Sequence, residues 1–152
     1  MEAGIKRPVA VGLGLAVVVG LGVAAMLLLS PADKPAIPPD LTAVKDPTKL
    51  GNFIELTHLG ILTSTNFLRH RVYTVTASLK NVSDKPIRLI EVKLTFLDYE
   101  KKTIYEEVRT AFDLKNAALG SGADYRMEIP FENPPSNWNY HVPDTQVVTV
   151  AY

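Results

Sequence analysis

The chain has 152 residues, and its 16 basic side chains balance 16 acidic ones, for a formal net charge of zero. That balance argues against a nucleic-acid binder, which would carry a basic face. With 47% apolar and 21% charged residues the chain is too hydrophobic to be disordered. It has no cysteine, which excludes disulfide frameworks, thiolate metal sites, cysteine nucleophiles and a lipidated N-terminal cysteine.

Residues 1–8 form a short N-terminal segment, followed by 21 positions (9–29) without a charge or strongly polar group. That length fits one bilayer crossing, and a soluble helix is rarely apolar on every face for six turns. Lys6 and Arg7 stand directly before the run, which predicts a cytoplasmic N-terminus and an extracytoplasmic, periplasmic remainder. The alternative is a cleavable signal peptide, with Ser30 and Ala32 as the small residues of a cleavage site. Within the run, Gly12, Ala16, Gly20 and Ala24 recur every fourth residue and form one ridge of small side chains, a candidate helix-packing face. Eight of the 21 residues are Gly or Ala, so composition alone can also produce such a row.

Residues 30–49 contain five prolines, Pro31, Pro35, Pro38, Pro39 and Pro47. Proline removes backbone donors and holds its predecessor extended, so no helix or sheet is expected and the segment reads as a stalk.

From residue 50 to 152 the hydrophobic period is two, and the expected fold class is all-β. Residues 52–62 supply the first strand or strands. Tyr73, Val75, Ala77 and Leu79 alternate with Thr74, Thr76, Ser78 and Lys80, as in a half-buried strand. The turn Asn81–Pro86 leads to Ile90, Val92, Leu94 and Phe96, which alternate with Glu91, Lys93 and Thr95, and the two runs together read as a strand pair. Residues 103–114 read as a strand interrupted by Glu106 and Glu107, as at a bulge or an exposed edge. Met127, Ile129 and Phe131 share a face of the next strand, where Pro130 requires an edge or a bulge. The β-branched stretch 144–152 closes the chain. Six or seven strands without a long amphipathic helix predict an immunoglobulin-like antiparallel β-sandwich, preceded by one N-terminal transmembrane helix.

Residues 70–135 resemble the FxLYD-type domains of bacterial membrane-anchored proteins. The resemblance is carried by Val75, Leu79, Asn81 and Ser83, then Phe96, Leu97 and Asp98, then Leu119 and Gly122 before Phe131. The chain has Thr76 or Ala77 where that family has a glycine, and Leu119-Gly-Ser-Gly122 where it has an L-x-P-G turn. The resemblance implies a bacterial extracytoplasmic interaction domain without catalytic residues.

No enzyme motif emerges. His58, His70 and His141 are scattered singly, Ser121 lacks the setting of a nucleophile elbow, and Glu106 and Glu107 point to opposite strand faces. No catalytic residue, metal site or cofactor is expected. The candidate partner-binding loop is 132–143, with Trp138, Tyr140 and His141 between strands. Against recognition stands a plug, in which Trp138 folds back over one end of the sandwich to bury its indole. The expected function is therefore non-enzymatic: a single-pass membrane protein presenting its sandwich to a protein partner, with membership of an integral-membrane complex as one form of it. The alternative is a tethered module that binds envelope glycan or a small ligand.

Overall fold

A computed structural model describes residues 37–131 and 133–152. The expected membrane span at 9–29, with Gly12, Ala16, Gly20 and Ala24, lies outside the described residues. Among the described residues no helix is long and apolar enough to cross a membrane.

Among the described residues, seven strands and one helical turn run in the order β1 (Ala43–Val44), α1 (Pro47–Leu50), β2 (Ile54–Thr65), β3 (Arg71–Asn81), β4 (Leu89–Leu97), β5 (Thr103–Phe112), β6 (Asp124–Phe131) and β7 (Asp144–Ala151). They form two antiparallel sheets, one ordered β1-β7-β4-β5 and the other β2-β3-β6. The period-two runs explain the arrangement. Val75 and Leu79 of one sheet and Val92, Leu94 and Phe96 of the other are buried in one core, while the intervening residues face outward. β5, with Glu106 and Glu107, and β6, with Pro130, are both edge strands, as their sequences require.

Two expectations need correction. β3 and β4 are not paired: β3 lies between β2 and β6, and β4 belongs to the other sheet. The turn between them crosses from sheet to sheet, and Asn81 fixes the crossing. Its buried side chain donates to the carbonyls of Lys85 (2.7 Å) and Leu119 (2.8 Å) and accepts from the N–H (2.9 Å) and hydroxyl (2.8 Å) of Ser83. Four bonds satisfy the amide completely, which is what its burial demands.

The stretch 30–49 is also not free of regular structure. Ala43 and Val44 pair with Ala151 and Val150, and Thr42 and Tyr152 exchange backbone hydrogen bonds of 3.0 and 3.2 Å. Pro47 then ends the pairing, because it opens α1. Asp46 caps that turn by accepting from the N–H (3.0 Å) and hydroxyl (2.7 Å) of Thr48, which holds its carboxyl below the usual range. Leu50, brought round by this turn, is buried in the core. The folded unit therefore begins near Ile37 rather than at residue 50.

Candidate functional site

One end of the folded unit gathers the turn between β2 and β3, the turn between β4 and β5, and the loop between β6 and β7. Trp138 joins all three. Its ring packs against Tyr73, early in β3 (5.2 Å between centroids), Phe96, late in β4 (5.5 Å), and Phe131 at the end of β6 (5.6 Å). These three contacts are edge-on, the geometry that the aromatic quadrupole favours.

Trp138 is 1% exposed, so the plug describes it and partner contact through the indole does not. Burial of so large an apolar surface outweighs even an unpaired donor, for Nε1 has no hydrogen-bond partner among the described residues. Tyr140 stays 54% exposed while its ring leans, tilted, on Trp138 at 5.0 Å, and His141 is exposed beside it. Asn139 pins the loop to β4: its N–H donates to the Leu97 carbonyl (3.0 Å) and its amide to the Asp98 carbonyl (3.0 Å).

The two turns at this end have the same construction. In Asn66-Phe67-Leu68-Arg69-His70, Asn66 Oδ1 accepts from the N–H groups of Leu68 (3.0 Å) and His70 (2.9 Å). In Asp98-Tyr99-Glu100-Lys101-Lys102, Asp98 Oδ1 accepts from those of Glu100 and Lys102, both at 2.9 Å. The fourth residue of each turn is left-handed, Arg69 at φ 62° and Lys101 at φ 65°. The second residue of each is an aromatic held out in water, Phe67 at 92% exposure and Tyr99 at 75%. Each rigid turn thus presents an aromatic ring with a cationic residue two positions on. Among the described residues, four of the five non-glycine positive-φ positions (Arg69, Lys101, Asn137 and Tyr140) lie at this end, the exception being His58. The sequence held the signal as N-F-L-R-H and D-Y-E-K-K, but an Asx turn has to be recognised before the matched aromatics stand out.

Below this end, the free edges of β5 and β6 flank an open groove of about 550 Å³. Tyr105 and Phe131 line it, with the ion-paired Glu107 and Arg109 at the β5 wall and Pro130 and Pro135 opposite. At the neighbouring surface the Arg71 guanidinium lies beside the hydroxyl of Tyr73, an interaction that raises the arginine's pKa.

The histidines and the paired glutamates singled out in the sequence lie apart among the described residues. No group of three His, Asp or Glu side chains converges as a metal site there. His58 sits on the β2 bulge with Nδ1 3.0 Å from the Thr57 hydroxyl, His70 ends the first turn and His141 lies in the loop, so the three histidines occupy separate places. Glu106 bonds outward to Lys93 (3.2 Å) and Thr95 (3.1 Å), and Glu107 pairs with Arg109, so the adjacent carboxylates do not act as a pair.

Searches among known proteins add no relative: no family, no curated protein and no solved structure matches this chain.

Proposed function

We propose that this chain is a non-enzymatic, single-pass membrane protein whose immunoglobulin-like sandwich binds another protein, as an accessory subunit of a larger membrane complex. In this reading residues 9–29 hold the chain in the cell membrane and the folded unit stands on the extracytoplasmic side. The observation that carries the binding role is the pair of matched turns. Phe67 and Tyr99 are large, rigidly mounted and solvated, the profile of interface anchors, and ordering them on binding costs little entropy. The sheet orders β1-β7-β4-β5 and β2-β3-β6 support the immunoglobulin-like assignment, with loops of both sheets clustered at one end. Asn81 and Ser83, which carry part of the FxLYD-type resemblance, serve the sheet crossing and are consistent with a domain without catalytic residues.

Within the folded unit, Thr42 meets Tyr152 at the end opposite the two turns. The test is gentle detergent extraction of the native full chain, with mass spectrometry of what co-migrates. A stoichiometric partner is expected, and Phe67→Ala with Tyr99→Ala should lose it while the thermal unfolding of the domain stays unchanged. Migration alone refutes the subunit reading.

The groove beside β5 and β6 favours a second reading, a tethered module for glycan or a small ligand, since Tyr105 and Phe131 offer ring faces beside polar groups. Under that reading Tyr105→Ala abolishes ligand binding and the turn variants do not.

A further inference from the structure

The edges of the two sheets differ in how they protect their unpaired backbone. β5 carries the charged residues Glu106, Glu107 and Arg109. β6 carries Asp124, Arg126, Glu128 and Pro130. β7 is bridged at Val150 and Ala151 by β1, and its register against β4 slips by one residue at Val148. Charge, proline, cover and bulges are the usual means by which a sheet edge avoids further pairing.

β2 is different. From Leu56 to Leu68 there is no Asp, Glu, Lys or Arg and no proline. Its register against β3 shifts between Thr57 and Gly60, and above that the strand runs regularly from Gly60 to Thr65. Among the described residues no strand lies on its outer side. Leu62, in the middle of this stretch, is 51% exposed on the outer face of the sheet, because Ile61, its neighbour, pairs with the core residue Val75.

We propose that β2 pairs with β2 of a second copy of this chain, antiparallel and about a two-fold axis at Leu62. The occupant follows from charge. Identical strands bring identical side chains to the seam, and the regular stretch of β2 meets its own image without desolvating a charged group. The register follows from the pleat. Antiparallel mates share a face, so a two-fold through Leu62 sets Gly60 against Ser64, Ile61 against Thr63, and Leu62 against its own mate on the outer face. The bulge below Gly60 and the turn at Asn66 limit the seam at its two ends. The result is a continuous six-stranded sheet, β6-β3-β2-β2-β3-β6. The seam is short, so the dimer is transient in dilute detergent and is favoured where chains are concentrated in one membrane.

The absence of cysteine makes a clean test. Leu62→Cys is introduced into the full chain, with Val82→Cys as a control at a similarly exposed position on another part of the surface. Native membranes of each are treated with a mild thiol oxidant. The mated Leu62 positions lie within disulfide reach, so Leu62→Cys should form a species of twice the 16.7 kDa chain at least about 10-fold faster than Val82→Cys. Equal rates would overturn the proposal, and so would a Leu62→Cys adduct of any other mass, which would mean that a different protein occupies the edge. Because both residues are exposed, neither substitution should prevent folding. The inference does not depend on the matched turns: Phe67→Ala with Tyr99→Ala, added to Leu62→Cys, should leave the cross-linking rate unchanged while removing the partner proposed above.

Discussion

Replacing Trp138 with alanine tests the mechanical centre of the loop-bearing end. The indole is 1% exposed and contacts Tyr73, Phe96, Phe131 and Tyr140, four rings from three strands and the loop itself. Truncating a buried aromatic to alanine removes its transfer energy and leaves a cavity, together about 3–5 kcal/mol. The site is walled by rings held in both sheets, which limits collapse, so the expected loss is about 4 kcal/mol. For a domain of this size that lowers the melting temperature by about 15 °C. Trp138→Phe should cost far less, about 1 kcal/mol, because it also removes an N–H whose unpaired burial itself costs about 1–3 kcal/mol. Urea titration followed by circular dichroism measures both variants. Trp138 is the sole tryptophan, so its emission in the parent protein should be blue-shifted from that of free tryptophan and should move red at the unfolding midpoint. A loss below about 1 kcal/mol for Trp138→Ala, or water-like emission from the native state, would refute the packing argument.

Further outcomes follow from other residues. Asn81→Ala removes four hydrogen bonds at the sheet crossing, two to the carbonyls of Lys85 and Leu119 and two from Ser83, so urea titration should show a loss of about 3 kcal/mol. The same burial means that the Asn81-Val-Ser83 sequon of the folded chain should stay unmodified when offered to a glycosylating host. Glu106 has its carboxyl held below the ordinary 4.5, first by its hydrogen bond from Lys93 and then by that from Thr95. A depressed folded value means that this contribution is present above pH 4.5 and is lost as pH falls through the folded value; Glu106→Gln should therefore flatten the stability profile below pH 4.5 and leave its shape near neutrality unchanged.

The alternating strands were legible because each buries a single face. Val75 and Leu79, Val92 and Leu94, and Met127 and Ile129 all face the core as their spacing requires. Edge positions were legible too, from Pro130 and the paired glutamates. Pairing partners were not, because the pattern that says which face is buried does not say which sheet a strand joins. The side chain that settles this for β3 and β4 is Asn81, whose partner Leu119 lies 38 residues away. β1 was missed because two paired residues have no period, although Asp46-Pro47-Thr48 is a helix-start signal that composition alone obscures. At the loop-bearing end, Tyr140 was found by its exposed aromatic character, whereas Phe67 and Tyr99 depend on recognising two equivalent turns.

The clasp between β1 and β7 also determines how the folded unit answers force. A pull on the chain at residue 37 runs along β1, so the Thr42–Tyr152 bonds and the short ladder to Val150 and Ala151 are loaded together in shear. This ladder joins two residue pairs, whereas β2 and β3 are joined along ten, so the clasp yields first and releases α1 while β7-β4-β5 and β2-β3-β6 remain paired. It would serve as a mechanical fuse, lengthening the chain ahead of the sheets under strain before the loop-bearing end is disturbed.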